Sequence, residues 1–136
     1  MPAEVRIRSE ALAAISNYAH SDATRECCGL LGGRDGAITR AFPGTNVASN
    51  SATSYEITPK ELFRLMREIR AANLRLLGIY HSHPTGENAP SPRDIAEACY
   101  PDAIYFIISP RKDAKQPVRA FSIRGSRAAE LDVNIV

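Results

Sequence analysis

The chain has 136 residues, of which 44% are hydrophobic and 24% are charged, and its net charge at pH 7 is +2. This length fits one domain, the composition is that of a soluble globular protein, and so small a charge points to neither a nucleic-acid nor a membrane partner. The stretch MPAEVRIRSE lacks the apolar run of a signal peptide, and no segment approaches the ~20 apolar residues of a membrane span. We therefore predict a single cytoplasmic domain over residues 1–136.

Apolar periodicity and turn residues divide the chain into eight strands and three helices. In chain order, we predict a strand at 5–8, a helix from there to about 20, strands at 27–31 and 37–42, a loop at 43–54, a short strand at 55–57, a helix from 58, a strand at 74–80, a helix from 91, and strands at 103–109, 118–123 and 131–136. Strands and helices alternate without a strict β-α-β rhythm. This order favours a mixed sheet with helices on its faces, an α+β fold with α/β-like character.

The second and third predicted helices begin with the same capping pattern. Thr58-Pro59-Lys60-Glu61 and Ser91-Pro92-Arg93-Asp94 each place a hydroxyl at the cap, a proline at the first helical position and an acid at the third. Apolar residues follow the first pattern at helical spacing, which makes it the clearest amphipathic helix of the chain. In the second, we expect Ile95, Ala98 and Cys99 to face inward.

The three cysteines are Cys27, Cys28 and Cys99, and none belongs to a Cys-x-x-Cys pair. All three lie in apolar stretches, which predicts reduced, buried thiols in a cytoplasmic protein. The alternative, a thiolate zinc site, lacks the paired spacing that such sites use.

The stretch HSHPTGENAPSPRD, residues 81–94, has the layout of a metal site. His81 and His83 continue a strand, in which residues i and i+2 point to the same face, so their imidazoles can converge on one point. A catalytic zinc site uses three protein ligands and keeps one position for water. The third ligand can be Glu87, within the loop, or Asp94, one turn into a helix. We favour Asp94 because a ligand on a rigid element is better preorganised.

Each part of this stretch also has an ordinary structural interpretation. The Ser91–Asp94 segment alone is typical of a helix cap, and two histidines in a strand alone are a weak signal. Their combination at loop distance is what indicates a metal.

Together with Glu26, this stretch resembles the JAMM motif, also called MPN+, of zinc metalloproteases. That motif has an upstream glutamate, then His-x-His, seven residues, a serine, two residues and an aspartate. The sequence ECCGLLGG from Glu26 and the spacing from His83 through Ser91 to Asp94 match it throughout. The resemblance implies the MPN/JAMM fold, a cytidine-deaminase-like curved mixed β-sheet flanked by helices.

The resemblance also implies a role for each matched residue. His81, His83 and Asp94 would bind one zinc ion per chain, with one water completing its coordination. Glu26 would take a proton from that water and pass it to the leaving amine. Ser91 would donate a hydrogen bond to the oxyanion, through its hydroxyl or its backbone.

The short chain resembles the compact prokaryotic members of the family. This implies a metallopeptidase that hydrolyses the amide or isopeptide bond after the C-terminal Gly-Gly of a ubiquitin-like or sulfur-carrier protein, with cysteine as one leaving group. The main alternative is a non-catalytic MPN-type protein-binding scaffold. A zinc deaminase would need a Pro-Cys-x-x-Cys pair, which this sequence lacks, and a related DNA-repair family would need an additional DNA-binding region. The oligomeric state, and whether the basic turn Arg111–Lys115 meets a partner, stay open.

Overall fold

The computed structural model describes residues 4–136, which form seven strands and three helices. The elements are, in chain order, β1 (Glu4–Ile7), α1 (Ser9–Ser21), β2 (Cys28–Arg34), β3 (Ala37–Gly44), α2 (Pro59–Ala71), β4 (Arg75–Ser82), α3 (Pro92–Glu97), β5 (Ile104–Ile108), β6 (Val118–Arg124) and β7 (Arg127–Ile135). No helix within this range is long and apolar enough to cross a bilayer.

The strands form one mixed sheet in the order β1-β3-β2-β4-β5-β6-β7, which closes into a barrel because β7 pairs with β1. The β4–β5, β1–β3 and β1–β7 pairs are parallel, whereas the remaining pairs are antiparallel. The predicted mixed sheet is therefore confirmed. Its closure was not predicted, because no local pattern announces a pairing between the two ends of the chain.

The core lies on both faces of the sheet, since successive strand residues point in opposite directions. In β4, Ile79 packs in the cluster that contains the inner side of α2, whereas Tyr80 packs in the cluster that contains α1. Leu30 and Leu31 of β2 divide in the same way. This two-sided burial explains why β2 and the end of β4 are continuous apolar runs rather than alternating ones.

The predicted Asp35-Gly36 hairpin is present. Both residues have positive φ, 55° and 77° respectively, which is the conformation that a two-residue turn between β2 and β3 requires. This turn places β3 antiparallel to β2 and leaves the other edge of β2 free to pair with β4.

Three predictions about local structure are wrong. Residues 55–57 form no strand, because a single backbone hydrogen bond, from the Val47 amide to the Glu56 carbonyl, pairs them with Val47. Helix α3 ends at Glu97 and does not extend to Ala98 and Cys99, although Ile95 and Ala98 are partly buried and pack against the core as expected. Cys99, beyond the end of that helix, is exposed rather than turned into the core.

Candidate active site

The register between β2 and β4 brings the upstream glutamate to the two histidines. Cys28 lies opposite His81 in this antiparallel pair, and the Ser82 amide donates to the Cys27 carbonyl one step further. If the same register is continued by one more residue beyond Cys27 and Ser82, Glu26 lies opposite His83. Paired residues point to the same side of a sheet, so Glu26 and His83 share the face on which the site forms.

His81, His83 and Asp94 converge as the sequence predicted, although Asp94 comes from a different element. The two Nε2 atoms are 3.1 Å apart, and Asp94 Oδ2 lies 3.3 Å from His81 Nε2 and 3.1 Å from His83 Nε2. A tetrahedral ion with bonds of about 2.0–2.1 Å holds its ligands about 3.3 Å apart. The three atoms therefore already have the mutual spacing of three ligands on one zinc ion.

His83 is held with Nε2 directed at the site. Its Nδ1–H donates to the Glu87 carbonyl oxygen at 2.8 Å, so Nε2 faces Asp94, and loss of the Nε2 proton would free its lone pair for a metal. Glu87 thus contributes its backbone, while its side chain is exposed and outside the group. The preference for Asp94 over Glu87 as third donor agrees with this geometry.

His81 is held differently. It is 1% exposed, and its Nδ1 finds no hydrogen-bond partner among residues 4–136. Instead, the ring of Tyr55 stacks on the imidazole, with 4.7 Å between centroids and 27° between planes. Tyr55 also lines a cavity of about 280 Å³ with Leu30, Ile57, Leu62, Ile79, Tyr100 and Tyr105. Burial lowers the pKa of His81, so its neutral form, the one that can bind a metal, is favoured.

Asp94 is fixed by the helix cap. The Ser91 hydroxyl accepts from the Asp94 amide at 3.0 Å, and the Ser91 amide donates to Asp94 Oδ2 at 2.9 Å, which completes a capping box. Burial alone would raise the pKa of Asp94, but the hydrogen bonds from His81 and His83 outweigh it and hold this pKa well below its usual range. The carboxylate is therefore ionised. The cap and the donor group are one structure, so the two interpretations of this segment are compatible.

Glu26 is a buried acid near this group. The residue is 5% exposed, and its Oε1 has no hydrogen-bond partner in the described part of the chain. Burial raises its pKa to about 7, against a smaller opposing effect of His83. A carboxyl group with such a pKa can exchange a proton near neutral pH.

Two residues that the sequence did not single out help to build the site. Tyr55 lies at the end of a polar loop, and Asn46 lies near the beginning of the same loop. Asn46 is 7% exposed, although asparagine in a polar loop is usually solvated. Neither residue belongs to a spacing pattern, so the sequence held no signal for them.

The arrangement defines a class of protein, a single-metal hydrolase with two imidazole nitrogens, one carboxylate oxygen and a buried acid beside them. Comparison with known proteins then places the chain. Residues 8–124 match the family described as prokaryotic homologs of the JAB domain, and the chain belongs to that family. The resemblance to the JAMM group is thereby confirmed.

Its relatives include peptidases. The chain is 37% identical over 94 residues to a desampylase of Haloferax volcanii, which covers 68% of each protein. It is 33% identical over 132 residues to a CysO-cysteine peptidase of Mycobacterium tuberculosis, which covers 96% of this chain and 90% of the relative.

Solved structures agree with the fold. The protein DSY2949 of Desulfitobacterium hafniense superposes with a TM-score of 0.85 at 26% identity, covering 97% of this chain and 92% of the other. A structure described as a JAMM metalloprotease-like zinc site superposes with a TM-score of 0.61 at 18% identity, covering 96% and 97%. The fold of this chain is therefore the JAMM/MPN fold.

Proposed function

We propose that this protein is a zinc metallopeptidase that hydrolyses the amide or isopeptide bond after the C-terminal Gly-Gly of a ubiquitin-like or sulfur-carrier protein. The observation that carries the proposal is the convergence of His81, His83 and Asp94 within bonding distance of one ion, with Glu26 on the same face. The names of two relatives, a CysO-cysteine peptidase and a desampylase, support the substrate class. Cysteine is the leaving group that the first of these names favours.

The donor set fits zinc better than a harder cation. Imidazole nitrogen and a single carboxylate oxygen suit zinc, whereas magnesium and calcium take six or more oxygen ligands. When bound, zinc would supply a Lewis acid that activates water and polarises the scissile carbonyl. His81, His83 and Asp94 would hold it, and the neutral state of His81 and the ionised state of Asp94 are the states that this requires.

Glu26 moves the proton in this proposal. Its carboxylate accepts a proton from the attacking water and then, as an acid, donates it to the leaving nitrogen. The raised pKa of about 7 places both directions of transfer within reach at neutral pH. General acid–base help of this kind contributes a factor of roughly 10²–10⁴ in rate.

Ser91 supplies the hydrogen bond to the developing oxyanion. Its oxygen accepts from the Asp94 amide, so its hydroxyl hydrogen remains available for the substrate. A donor aimed at an oxyanion contributes about 3 kcal/mol to the stability of the transition state. A non-catalytic scaffold, the alternative from the sequence, would need neither this serine nor a buried acid beside three convergent donors.

Three further features are proposed on the basis of the sequence. The likeness of the sheet to that of cytidine deaminases and the cytoplasmic location both stay predictions from the sequence. So does the organisation as one domain, which is supported by elements from both ends of the chain that pair in one sheet.

The decisive experiment uses zinc-loaded protein and diglycine-terminated carrier proteins that bear either a C-terminal cysteine or a longer extension. Intact mass spectrometry should show loss of the extension after the second glycine. The Glu26→Gln variant should bind zinc stoichiometrically without turnover, and chelation should stop turnover of the wild type. Zinc-loaded wild type that leaves every diglycine substrate intact would refute the proposal.

A further inference from the structure

We propose that Asn46 is a positioning residue that holds Glu26 and Tyr55 in the geometry that the active site requires. The inference rests on the proposed peptidase function. Asn46 lies in the loop between β3 and α2, and it is one of the few polar side chains in this structure that is almost completely buried. Nothing in the sequence motif refers to it.

The Asn46 amide uses its full hydrogen-bonding capacity. Its Nδ2 donates to the carbonyl oxygens of Glu26 at 2.9 Å and Ser54 at 3.0 Å, with a longer contact of 3.4 Å to that of Ser51. Its Oδ1 accepts from the backbone amides of Ala48 at 2.9 Å and Glu56 at 3.1 Å. An amide has two donor hydrogens and two acceptor lone pairs, so this side chain is saturated.

The bonded atoms belong to the two segments that carry Glu26 and Tyr55. The Glu26 carbonyl is that of the proposed acid–base residue itself. The Ser54 carbonyl and the Glu56 amide flank Tyr55, whose ring stacks on His81. One side chain therefore ties the β2 end of the site to the loop that supports a proposed metal ligand.

The hydrogen bonds of the Asn46 side chain hold this loop in place of the backbone hydrogen bonds of a β-sheet. The only backbone hydrogen bond between Val47 and residues 55–57 runs from the Val47 amide to the Glu56 carbonyl. The Glu56 amide donates instead to Asn46 Oδ1, a side-chain oxygen in the place that a backbone carbonyl would take in a β-sheet. The Glu26 amide in turn donates to the Ser51 carbonyl at 2.7 Å, so the loop holds Glu26 from both its amide and its carbonyl. Outside the loop, Arg25 bonds to the Asn46 carbonyl at 2.9 Å, but its side chain is exposed and is a weak anchor by comparison.

The test compares three variants. Asn46→Ala removes all the side-chain bonds, and Asn46→Ser keeps one hydroxyl as a milder change that folds if the alanine variant does not. Leu65→Ala is the matched control, since it destabilises the core by deleting a side chain of α2 that is 1% exposed and is not one of the proposed site residues.

Amide hydrogen exchange of the metal-free proteins is the first measurement. In the Asn46 variants, exchange at the Glu26, Ala48 and Glu56 amides should rise by a factor of about 10 or more, while core amides such as that of Phe106 stay protected. Leu65→Ala should not loosen these three amides selectively. Unchanged exchange at all three in both Asn46 variants would overturn the proposal, whether or not any substrate is cleaved.

Kinetics of the zinc-loaded proteins are the second measurement. At saturating zinc, Asn46→Ala should lower kcat by about 10- to 100-fold and change KM by less than about 3-fold, because the acid–base residue is misplaced while the substrate still binds. Leu65→Ala should keep kcat near that of the wild type. Equal loss of kcat in the control, or a loss of kcat that is seen only below saturating zinc, would show a merely structural role. Absence of turnover in the wild type would refute the peptidase, and the exchange data would still decide the positioning.

Discussion

Tyr55 supports His81 by stacking rather than by hydrogen bonding. The two rings lie 4.7 Å apart, nearly parallel, while the Nδ1 of this buried histidine lacks a partner within residues 4–136. Metal-binding histidines usually donate the second ring nitrogen to a carboxylate or carbonyl, which fixes the ring. In this protein the ring of Tyr55, stacked on the imidazole, restricts the orientation of His81.

Removal of the stacked ring should therefore weaken metal binding. We expect Tyr55→Ala to reduce zinc affinity by about 10-fold, the lower end of the effect of losing a group that supports a ligand. Tyr55→Phe keeps the ring and serves as the matched control, with affinity close to that of the wild type. Competition against a chromophoric chelator measures both. Equal affinities in the alanine variant and the wild type would remove Tyr55 from this role.

The third donor is tested by exchanging the two acids that the sequence offered. Asp94→Ala should lower zinc occupancy sharply, because its Oδ2 lies within 3.3 Å of both imidazole Nε2 atoms. Glu87→Ala should leave occupancy unchanged, since only its backbone carbonyl touches His83. Metal analysis after dialysis gives the ratio of zinc to protein. The opposite pattern would mean that the loop rearranges around the ion and that Glu87 is the ligand.

Ser91 is predicted to matter beyond its cap. Ser91→Ala removes both the cap acceptor and the proposed oxyanion donor, so kcat should fall about 10²-fold or more, and stability by about 1 kcal/mol. Ser91→Asp retains a cap acceptor but offers no hydroxyl hydrogen. Should the aspartate variant hydrolyse substrate as fast as the wild type, the oxyanion role of the hydroxyl would be excluded.

Much of this site could be predicted because its spacing is local. His81 and His83 share a face by strand periodicity, and the Ser91–Asp94 cap fixes an aspartate at a known helical position. Both features depend only on residues within fourteen positions of one another. Glu26 needed the family resemblance, because its approach to His83 follows from the β2–β4 register, which no local pattern encodes.

The features that were missed depend on contacts across the fold. Barrel closure by β1 and β7 joins segments at opposite ends of the chain, and the support of His81 by Tyr55 joins a loop to a strand. Cys99 was expected inside because a longer helix was assumed. The helix ends at Glu97, which leaves the thiol on the surface.

The cysteines should accordingly differ in reactivity. Cys27 and Cys28 are buried, and burial raises the pKa of both, that of Cys28 to about 12, whereas Cys99 is exposed. Alkylation requires an accessible thiolate. Iodoacetamide at pH 8 should add one group per native chain, at Cys99, and three after denaturation. Peptide mapping identifies the position, and the Cys99→Ser variant should resist labelling when folded. Rapid labelling of Cys28 in the native protein would contradict the burial of β2.

Glu26 should also leave a signature in the stability of the metal-free protein. Its carboxyl titrates near 4.5 in the unfolded chain and, because of burial, near 7 in the folded one. Between these values the folded state binds more protons, so this group reduces the free energy of unfolding as pH rises through the window, and the reduction is complete above about pH 7.

Glu26→Gln removes that titration. With chelator present at pH 8, the free energy of unfolding of the variant should therefore exceed that of the wild type by about 2–3 kcal/mol, and its urea midpoint should be higher. The difference in free energy should shrink toward zero as pH falls to 5. Urea unfolding of both proteins at several pH values measures it. Asp94, whose lowered pKa makes stability fall at acidic pH, affects both proteins alike and cancels in the comparison. A difference that does not change with pH would mean that the Glu26 carboxylate is solvated in the folded protein, and the proton transfer proposed for it would lose its physical basis.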